Sequence, residues 1–300
     1  MYNRCRIGGI VGLKSIERAI LRDLYRNCRI PFEELGRRNG VSSTTIKKHY
    51  TTLKDDGILG DLVIRLCCSS IKANRLLMIL KSPNIEKTKE LVKEIGENRL
   101  VESVGRIDSD RILINAICCN LDQFFELKTF LSRNLNVDQI ESHLLRTKTQ
   151  GNQSLSKLEL DILRYLNTHP RMPSHTLANR IGRSAKTVRL AINKLQSTGK
   201  VHFSIQPSFH YFFSKIRINH NNNIMKNHRI NDELPSVWTV HQSSSDSLFF
   251  VTFLPTDISE LSFIRQWFDD NDVFDLEYID VGEPLEYYPS IRKELLLNLF

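Results

Sequence analysis

The sequence predicts an α+β protein made of two copies of one plan, each a three-helix unit followed by a unit of mixed strands and helices. A 40-residue segment occurs twice without a gap, at residues 20–59 and 162–201, and about a third of its positions are identical. After each copy, short β-rich segments alternate with amphipathic helical segments. With 300 residues, the chain is long enough for two such pairs of units.

Each copy of the repeat predicts three short helices, of which the last two form a helix-turn-helix. In the first copy, the apolar side chains within residues 20–24 share one face of the first helix. Pro31 suits the first turn of the second helix, and Gly40 can adopt the positive φ of a tight turn. Ser42 is placed to cap the third helix, which ends near Gly57. The second copy repeats this pattern.

The outward face of the third helix is basic and polar in both copies. No acidic residue lies within residues 41–53 or 183–199. Such a helix suits the major groove of DNA, where residues near its N-terminus meet the base edges. We predict double-stranded DNA as the partner, bound through Ser43, Thr44, Lys47, Lys48, Thr51, Ala185, Lys186, Arg189, Asn193 and Lys194. The alternative is a solvated helix in a purely structural unit.

The two outward faces differ in their side chains, which predicts unequal DNA half-sites. Arg189 is the candidate for a bidentate contact to guanine, because a guanidinium presents parallel donors. The lysines on both helices are expected to bind phosphates instead.

The spacing L-x-x-L…P-x(3)-L-x(4)-G-x-S-x-x-T-[VI]-x(6)-L-x(3)-G, found in both copies, resembles the winged helix-turn-helix of the Lrp/AsnC family of prokaryotic transcription regulators. The resemblance implies a transcription regulator in which a small αβ domain follows the helix-turn-helix, drives dimerisation and often binds an amino acid. We expect a tandem-duplicated, single-chain form of an archaeal regulator.

The segment after the first copy has the element order that this resemblance implies. Residues 58–66 alternate and are β-rich, which predicts the strands of a wing. Beyond a connection at 67–74, strands and helices follow in the order βαββαβ of a ferredoxin-like domain. Their predicted ranges are 76–80, 85–98, 100–107, 111–119, 121–135 and 137–145.

The segment after the second copy follows the same plan in degenerate form. Residues 219–232 are too rich in asparagine to predict the first helix of the unit. The other elements are predicted as a wing at 201–205, strands at 211–218, 236–241, 248–254 and 274–281, and helices at 258–268 and 290–299.

The predicted fold class is therefore α+β, with two winged helix-turn-helix domains, each followed by a ferredoxin-like βαββαβ domain, the second one degenerate. The expected division of the chain is an N-terminal arm (1–15), winged helix-turn-helix 1 (16–66), αβ domain 1 (67–146), a linker (147–156), winged helix-turn-helix 2 (157–206) and αβ domain 2 with a C-terminal helix (207–300).

An effector site is implied by the resemblance alone. The family carries a G-x-Y-D motif between its middle strands, and Gly105-Arg106-Ile107-Asp108 keeps the Gly and the Asp but not the Tyr. Gly105 and Asp108 are therefore candidates for binding an amino-acid-like effector, and the alternative for Asp108 is that it simply caps a hairpin. The second αβ unit keeps only Asp246, and we expect that it has lost ligand binding.

The middle strands of both αβ units are apolar on both faces, at residues 112–119 and 248–254. A sheet with helices on one side needs only one apolar face. We therefore expect the two sheets to pack face to face as an intramolecular pseudo-dimer. The alternative cover is another chain, which would give a higher oligomer.

Charge is segregated in the second half of the chain. Residues 151–229 contain 13 Lys and Arg against 2 Asp and Glu, whereas residues 230–300 contain 3 against 14. The positive charge thus surrounds the helix-turn-helix, which favours phosphate binding by that unit.

The sequence indicates no catalytic residue, metal site or cofactor. None of the six cysteines has C-x-x-C spacing, and the nine histidines form no ligand motif. No apolar run is long enough to span a membrane and no signal peptide is evident, so we expect a cytoplasmic protein that is not an enzyme. Two other functions stay open: a tetrapyrrole-binding enzyme of the sirohaem decarboxylase type, which shares the fold, and a protein-interaction module.

Overall fold

A computed structural model of the chain describes residues 13–81, 88–107, 110–135, 137, 139–146, 154–208, 211–218, 230, 233–234, 237–244, 247–253, 258–271, 273–281 and 286–287. The first half contains, in order, α1 (Ser15–Arg26), α2 (Phe32–Asn39), α3 (Ser43–Asp55), β1 (Leu59–Leu66), β2 (Asn74–Lys81), α4 (Thr88–Gly96), β3 (Val101–Arg106), β4 (Arg111–Cys118), α5 (Leu121–Thr129) and β5 (Ile140–Leu145). The second half contains α6 (Lys157–Thr168), α7 (Ser174–Ile181), α8 (Ala185–Ser197), β6 (Val201–Pro207), β7 (Tyr211–Ile218), β8 (Val237–Gln242), β9 (Leu248–Phe253), α9 (Ile258–Asp269), β10 (Val273–Val281) and β11 (Glu286–Tyr287).

Both three-helix units begin with the same capping arrangement. Glu17 in α1 accepts a hydrogen bond from the backbone N–H of Lys14 at 2.9 Å, and Glu159 in α6 accepts one from that of Ser156 at 2.7 Å. Each carboxylate thereby satisfies a backbone donor that a helix N-terminus leaves without a partner. Both glutamates are buried, so this cap also fixes how each first helix enters its unit.

The turn before each third helix depends on a glycine. Gly40 and Gly182 have φ values of 66° and 64°, in the left-handed region that other side chains rarely adopt. Ser42 and Ser184 then cap α3 and α8, each accepting a hydrogen bond at 3.1 Å from the backbone N–H three residues later. The helix-turn-helix predicted from the repeat is present in both copies.

The segments predicted as wings each form a single strand, and these two strands pair with each other. β1 and β6 run antiparallel, with Ile64 opposite Phe203 and Leu66 opposite Val201. The described residues 58–66 and 201–207 therefore contain no local wing hairpin. The ladder hydrogen bonds that a wing would make within one domain are made between the two copies instead.

Both αβ units have the ferredoxin-like strand order, which confirms the predicted fold class. The first sheet has the order β3-β4-β2-β5 and the second the order β10-β7-β9-β8, so the first and third strands of each unit are central. The short strand β11 extends the first sheet, with Glu286 opposite Val104 of β3. This strand was not predicted, because two residues between prolines carry no strand pattern.

The other differences from the predicted elements are at their ends. The helix predicted at 85–98 is described from Thr88 to Gly96, and the one predicted at 121–135 becomes a π-helical turn at Phe130–Asn134. Residues 1–12, most of the asparagine-rich segment and the predicted C-terminal helix at 290–299 lie outside the described residues.

Two hydrophobic cores meet at β9. One core joins both three-helix units to the first αβ unit, and Leu248 and Phe250 of β9 belong to it. The other core belongs to the second αβ unit and contains Phe249, Val251 and Phe253 of the same strand. One face of β9 therefore packs on its own helix while the other faces the first half of the chain, which explains its continuous apolar run.

We expect Gly60→Ala to weaken the pairing of the two copies. A Cβ atom on Gly60 in β1 would clash with the backbone carbonyl oxygen of Gln206 in β6. Because that oxygen belongs to the backbone, the strands themselves would have to shift, which should lower the free energy of unfolding by about 1–3 kcal/mol. Urea denaturation measures this loss, with Asp61→Ala at the exposed next position as the control. Equal stability of the two variants would contradict the expectation.

Candidate nucleic-acid interface

The predicted DNA-binding residues lie on the outward faces of the recognition helices α3 and α8. On the opposite faces, the helices bury the apolar side chains Ile46, Leu53, Val188, Ile192 and Leu195. Eight of the ten predicted residues are exposed, namely Thr44, Lys47, Lys48, Thr51, Lys186, Arg189, Asn193 and Lys194. The other two, Ser43 and Ala185, are half-buried at the start of each helix.

The basic side chains of these faces have no carboxylate partner among the residues that the structure describes. Within the part of the chain that the structure describes, none of Lys47, Lys48, Lys186, Arg189 and Lys194 forms a salt bridge. The first turn of both helices also contains no acidic residue. The positive end of each helix dipole therefore adds to the side-chain charge, which suits an anionic partner.

Two arginines at equivalent positions of the repeat join the helix-turn-helix units. Nη2 of Arg29 donates to the carbonyl oxygen of Met172 at 3.0 Å, and Nη2 of Arg171 donates to that of Ile30 at 2.9 Å. Nη1 of Arg29 also donates to the carbonyl oxygen of Pro170. Ile30 and Met172 are themselves equivalent in the two copies. The contact therefore has the reciprocal geometry of a two-fold dimer interface.

Arg171 also contacts the recognition helix of the first copy. Its guanidinium lies 4.4 Å from the ring centre of Phe32 and 5.9 Å from that of Tyr50, which belongs to α3. The two rings meet edge to face, with centres 5.2 Å apart. Burial lowers the pKa of Arg171 and of Arg29, yet a guanidinium stays charged in a protein. A cation from the second copy thus helps to position α3.

Further hydrogen bonds tie the end of α1 to β6. The backbone N–H of Cys28 donates to the carbonyl oxygen of Phe203 at 3.0 Å. The hydroxyl of Ser204 donates to the carbonyl oxygen of Tyr25 at 2.8 Å. Together with the β1–β6 pair and the two arginines, these bonds hold α3 and α8 in one mutual orientation.

The equivalent buried glutamates of the two copies have different side-chain partners. Oε1 of Glu17 lies 2.9 Å from Nδ1 of His49 in α3, whereas Oε2 of Glu159 lies 3.0 Å from Nζ of Lys200. Burial acts to raise the pKa of Glu159, but hydrogen bonds from Ser156 and Lys200 outweigh it and leave this pKa below its ordinary value. The ionised Glu159 is therefore favoured in the folded state.

We expect the free energy of unfolding of Glu159→Gln to depend less on pH in the acid range than that of wild type. Because folding lowers the pKa of Glu159, its ion pair contributes stability above the ordinary glutamate pKa of about 4.3. That contribution is lost as the pH falls through the lowered folded value. Urea denaturation at a series of pH values measures the slope, with the exposed Glu94→Gln as the control. If the free energy of unfolding of wild type and Glu159→Gln fell in parallel with pH, the stabilising role of the ionised Glu159 would be refuted.

The two αβ sheets meet along their edge strands β5 and β8. The backbone N–H of Arg146 donates to the carbonyl oxygen of Gln242 at 2.8 Å, and that of Ser244 donates to the carbonyl oxygen of Leu144 at 2.6 Å. These bonds continue the backbone pairing of one sheet into the other.

The sheets also meet at a polar cluster formed by Glu141, His143 and Lys215, which lies beside Phe250. The His143 ring lies 4.9 Å from that of Phe250 in β9, and its Nε2 is 2.8 Å from Oε1 of Glu141. Nζ of Lys215 in β7 donates to the same carboxylate oxygen. Burial lowers the pKa of His143, so a neutral imidazole is favoured beside the ion pair. Nothing in the sequence predicted this cluster, because Glu141 and His143 of β5 meet Lys215 of β7, which lies 74 residues beyond Glu141 in the chain.

The candidate effector residues are described only in part. Gly105 is buried in β3 opposite Leu113, and Asp108 lies outside the described residues. In β8, burial and the nearby Arg75 and Arg65 lower the pKa of His241 to about 3.

The described residues contain no group of three or more His, Cys, Asp or Glu side chains that could hold a metal ion. No helix among them is both long and apolar enough to span a bilayer. Burial raises the pKa of Cys28 and of Cys118 to about 11, which favours the unreactive thiol form of both.

The comparison with known families matches the helix-turn-helix units. The winged helix-turn-helix DNA-binding family matches the chain at residues 13–59 and again at residues 155–202. An HTH-type transcriptional regulator of Methanocaldococcus jannaschii is 26% identical over 145 residues, which is 47% of this chain and 97% of that protein. That relative is therefore about as long as one half of this chain.

Some solved structures resemble nearly the whole chain and others only about half of it. The crystal structure of the siroheme decarboxylase NirDL covers 95% of this chain and 99% of its own, with a TM-score of 0.58 and 14% identity. The structure of Escherichia coli AsnC covers 46% of this chain and 96% of its own, with a TM-score of 0.35 and 18% identity. At such identities, the likeness to NirDL establishes the shared fold of the whole chain and no shared activity.

The chain thus contains two copies of a unit that matches the winged helix-turn-helix DNA-binding family. With an αβ unit after each copy and an HTH-type transcriptional regulator as a relative, it has the make-up of a DNA-binding transcription regulator.

Proposed function

We propose that the protein binds one DNA duplex at two unequal half-sites, with α3 in one major groove and α8 in another. The observation that carries this proposal is the reciprocal contact of Arg29 and Arg171, which holds both recognition helices in one pseudo-dimer. Two helix-turn-helix units related by a two-fold axis reach successive major grooves when they are about 34 Å apart. A pseudo-dimer within one chain would supply that arrangement without a second chain.

The charge of the two outward faces supports phosphate binding. Lys47 and Lys48 on α3, and Lys186 and Lys194 on α8, are exposed and have no described carboxylate partner. Each phosphate that a cation neutralises releases counterions and adds about 0.9 to the slope of log K against log salt concentration. DNA binding should therefore weaken steeply as salt is added.

The difference between the two faces supports unequal half-sites. Arg189 of α8 stands where α3 has Lys47, and Asn193 stands where α3 has Thr51. Arginine can make a bidentate contact with guanine and asparagine with adenine, whereas lysine and threonine are less specific. The second half-site should therefore have the stricter sequence.

Three finer features, namely the interface, an effector and the location, belong to the same proposal. The pairing of the αβ sheets at β5 and β8 would take the place of a homodimer interface, and higher oligomers could form through other surfaces. An amino-acid-like effector would bind beside Gly105 and modulate DNA binding, and the protein would act in the cytoplasm.

A second candidate function is a tetrapyrrole-binding enzyme that does not act on DNA. The observation that favours it is the fold shared with the siroheme decarboxylase NirDL over 95% of the chain. His143 and His241, on the two sheets that meet, would then lie near the ligand. An absorption titration with an iron tetrapyrrole tests this candidate. A saturable shift of the main band, abolished by His143→Ala or His241→Ala, would favour the enzyme.

A selection from random duplex oligonucleotides, repeated at several salt concentrations, tests the proposed function. We expect one enriched site made of two different half-sites at a fixed spacing. A single half-site, a perfect palindrome or no enrichment would each contradict the proposal.

We expect Arg189→Ala to relax base preference at one position of the second half-site. Loss of a bidentate arginine contact should cost about 1–3 kcal/mol for the guanine site and little for the other bases. The matched control is Lys47→Ala at the equivalent position of α3, which should weaken all sequences alike and reduce the salt slope by about 0.9. Fluorescence anisotropy with the four base variants measures both effects. An unchanged preference in Arg189→Ala would refute the guanine contact.

We expect the double variant Arg29→Ala, Arg171→Ala to lose its preference for one spacing between half-sites. The guanidinium–carbonyl bonds of this contact contribute on the order of 1.5–3 kcal/mol each, and without them α3 and α8 can change their relative orientation. Affinity measured for duplexes with altered spacers should vary less in the double variant than in wild type. The control is Arg164→Ala, whose side chain is half exposed on α6. An unaltered spacing profile in the double variant would exclude this positioning role.

A further inference from the structure

Leu190 is an exposed leucine on the outward face of α8. The side chain is 60% exposed, although the same helix buries Val188, Ile192 and Leu195 on its other side. Since successive residues of an α-helix are about 100° apart, Leu190 points almost directly away from those three. It therefore contributes to the surface of the helix and not to the core of the domain.

The neighbours of Leu190 on the helix surface are cationic or polar. Lys186 and Lys194 lie one turn before and one turn after it, and Asn193 lies three residues on. All three are exposed, and no acidic residue occurs in α8. An apolar protein partner would have to desolvate these groups to reach one leucine, which is costly. A DNA duplex offers phosphates to the lysines and a partly apolar groove floor to the leucine.

The first copy of the repeat has no such residue. Lys48 occupies the position of α3 that corresponds to Leu190 of α8. The other large apolar side chains that the structure describes as exposed are all in the αβ units, namely Leu121, Phe125, Leu144 and Phe263. An exposed apolar group in the middle of a predicted DNA-binding face is thus a feature of the second recognition helix.

We propose that Leu190 recognises the 5-methyl group of a thymine in the second half-site. That methyl group is the apolar feature of the major-groove base edges, and it distinguishes thymine from the other three standard bases. The inference rests on the proposed DNA binding and goes beyond it by naming the base and the chemical group that Leu190 contacts. The half-site bound by α3 would lack this contact, because Lys48 carries a charge at the equivalent position.

Replacement of thymine by deoxyuridine tests this proposal, because it removes the methyl group and keeps base pairing. Each thymine of the selected site is replaced in turn, and affinity is measured by fluorescence anisotropy. We expect one position of the second half-site at which wild type loses about three- to fivefold in affinity, the effect of one buried methyl group. Leu190→Ala should bind the thymine and uracil forms of that position equally.

The control variant is Leu121→Ala, which removes an exposed leucine from an αβ unit and should keep the full thymine preference. Because Leu190 is mostly exposed, Leu190→Ala should keep the unfolding temperature of wild type, which thermal denaturation checks. Equal affinity of wild type for thymine and uracil at every position overturns the inference, as does a preference that persists in Leu190→Ala. In both cases DNA binding itself would remain, whereas a complete lack of DNA binding overturns the proposed function together with this inference.

Discussion

The antiparallel pair of β1 and β6 is the interaction on which the rest of the structure depends. Within its own helix-turn-helix unit each strand has no neighbouring strand, and its backbone N–H and C=O groups need a partner or a cover. By pairing, the strands bring residues 28–30 of one copy against residues 170–172 of the other. Arg29 and Arg171 then find backbone carbonyls as partners, and the two recognition helices come to share one scaffold.

The helices could be predicted from the sequence because their signals are local. Apolar spacing, a capping serine and a turn glycine such as Gly40 all lie within a few residues of the element that they define. Strand partners are not local in this way. The pattern of residues 58–66 indicated a β-strand, but its partner lies more than 130 residues further on and belongs to the other copy. The two-residue strand β11 is too short to have a pattern at all.

The candidate DNA-binding faces could also be predicted from local signals, whereas contacts between the two copies could not. The helical period places Lys47 and Arg189 outside and Val188 inside, and the structure has them so. Leu190 was missed because a leucine in an amphipathic helix is usually a core residue. The contact of Arg29 and Arg171 was missed because the sequence does not indicate that a loop side chain will reach a backbone carbonyl oxygen of the other copy. Both features required the arrangement of the two copies in space.

The covalent connection between the paired strands has a consequence for how the protein behaves in a cell. Two separate subunits associate according to their concentration, so a scarce dimeric protein is partly dissociated. In this chain the strands that pair are tethered, and their effective concentration does not depend on how many molecules are present. Each half can also acquire a substitution that the other half does not share, which identical subunits encoded by one gene cannot do.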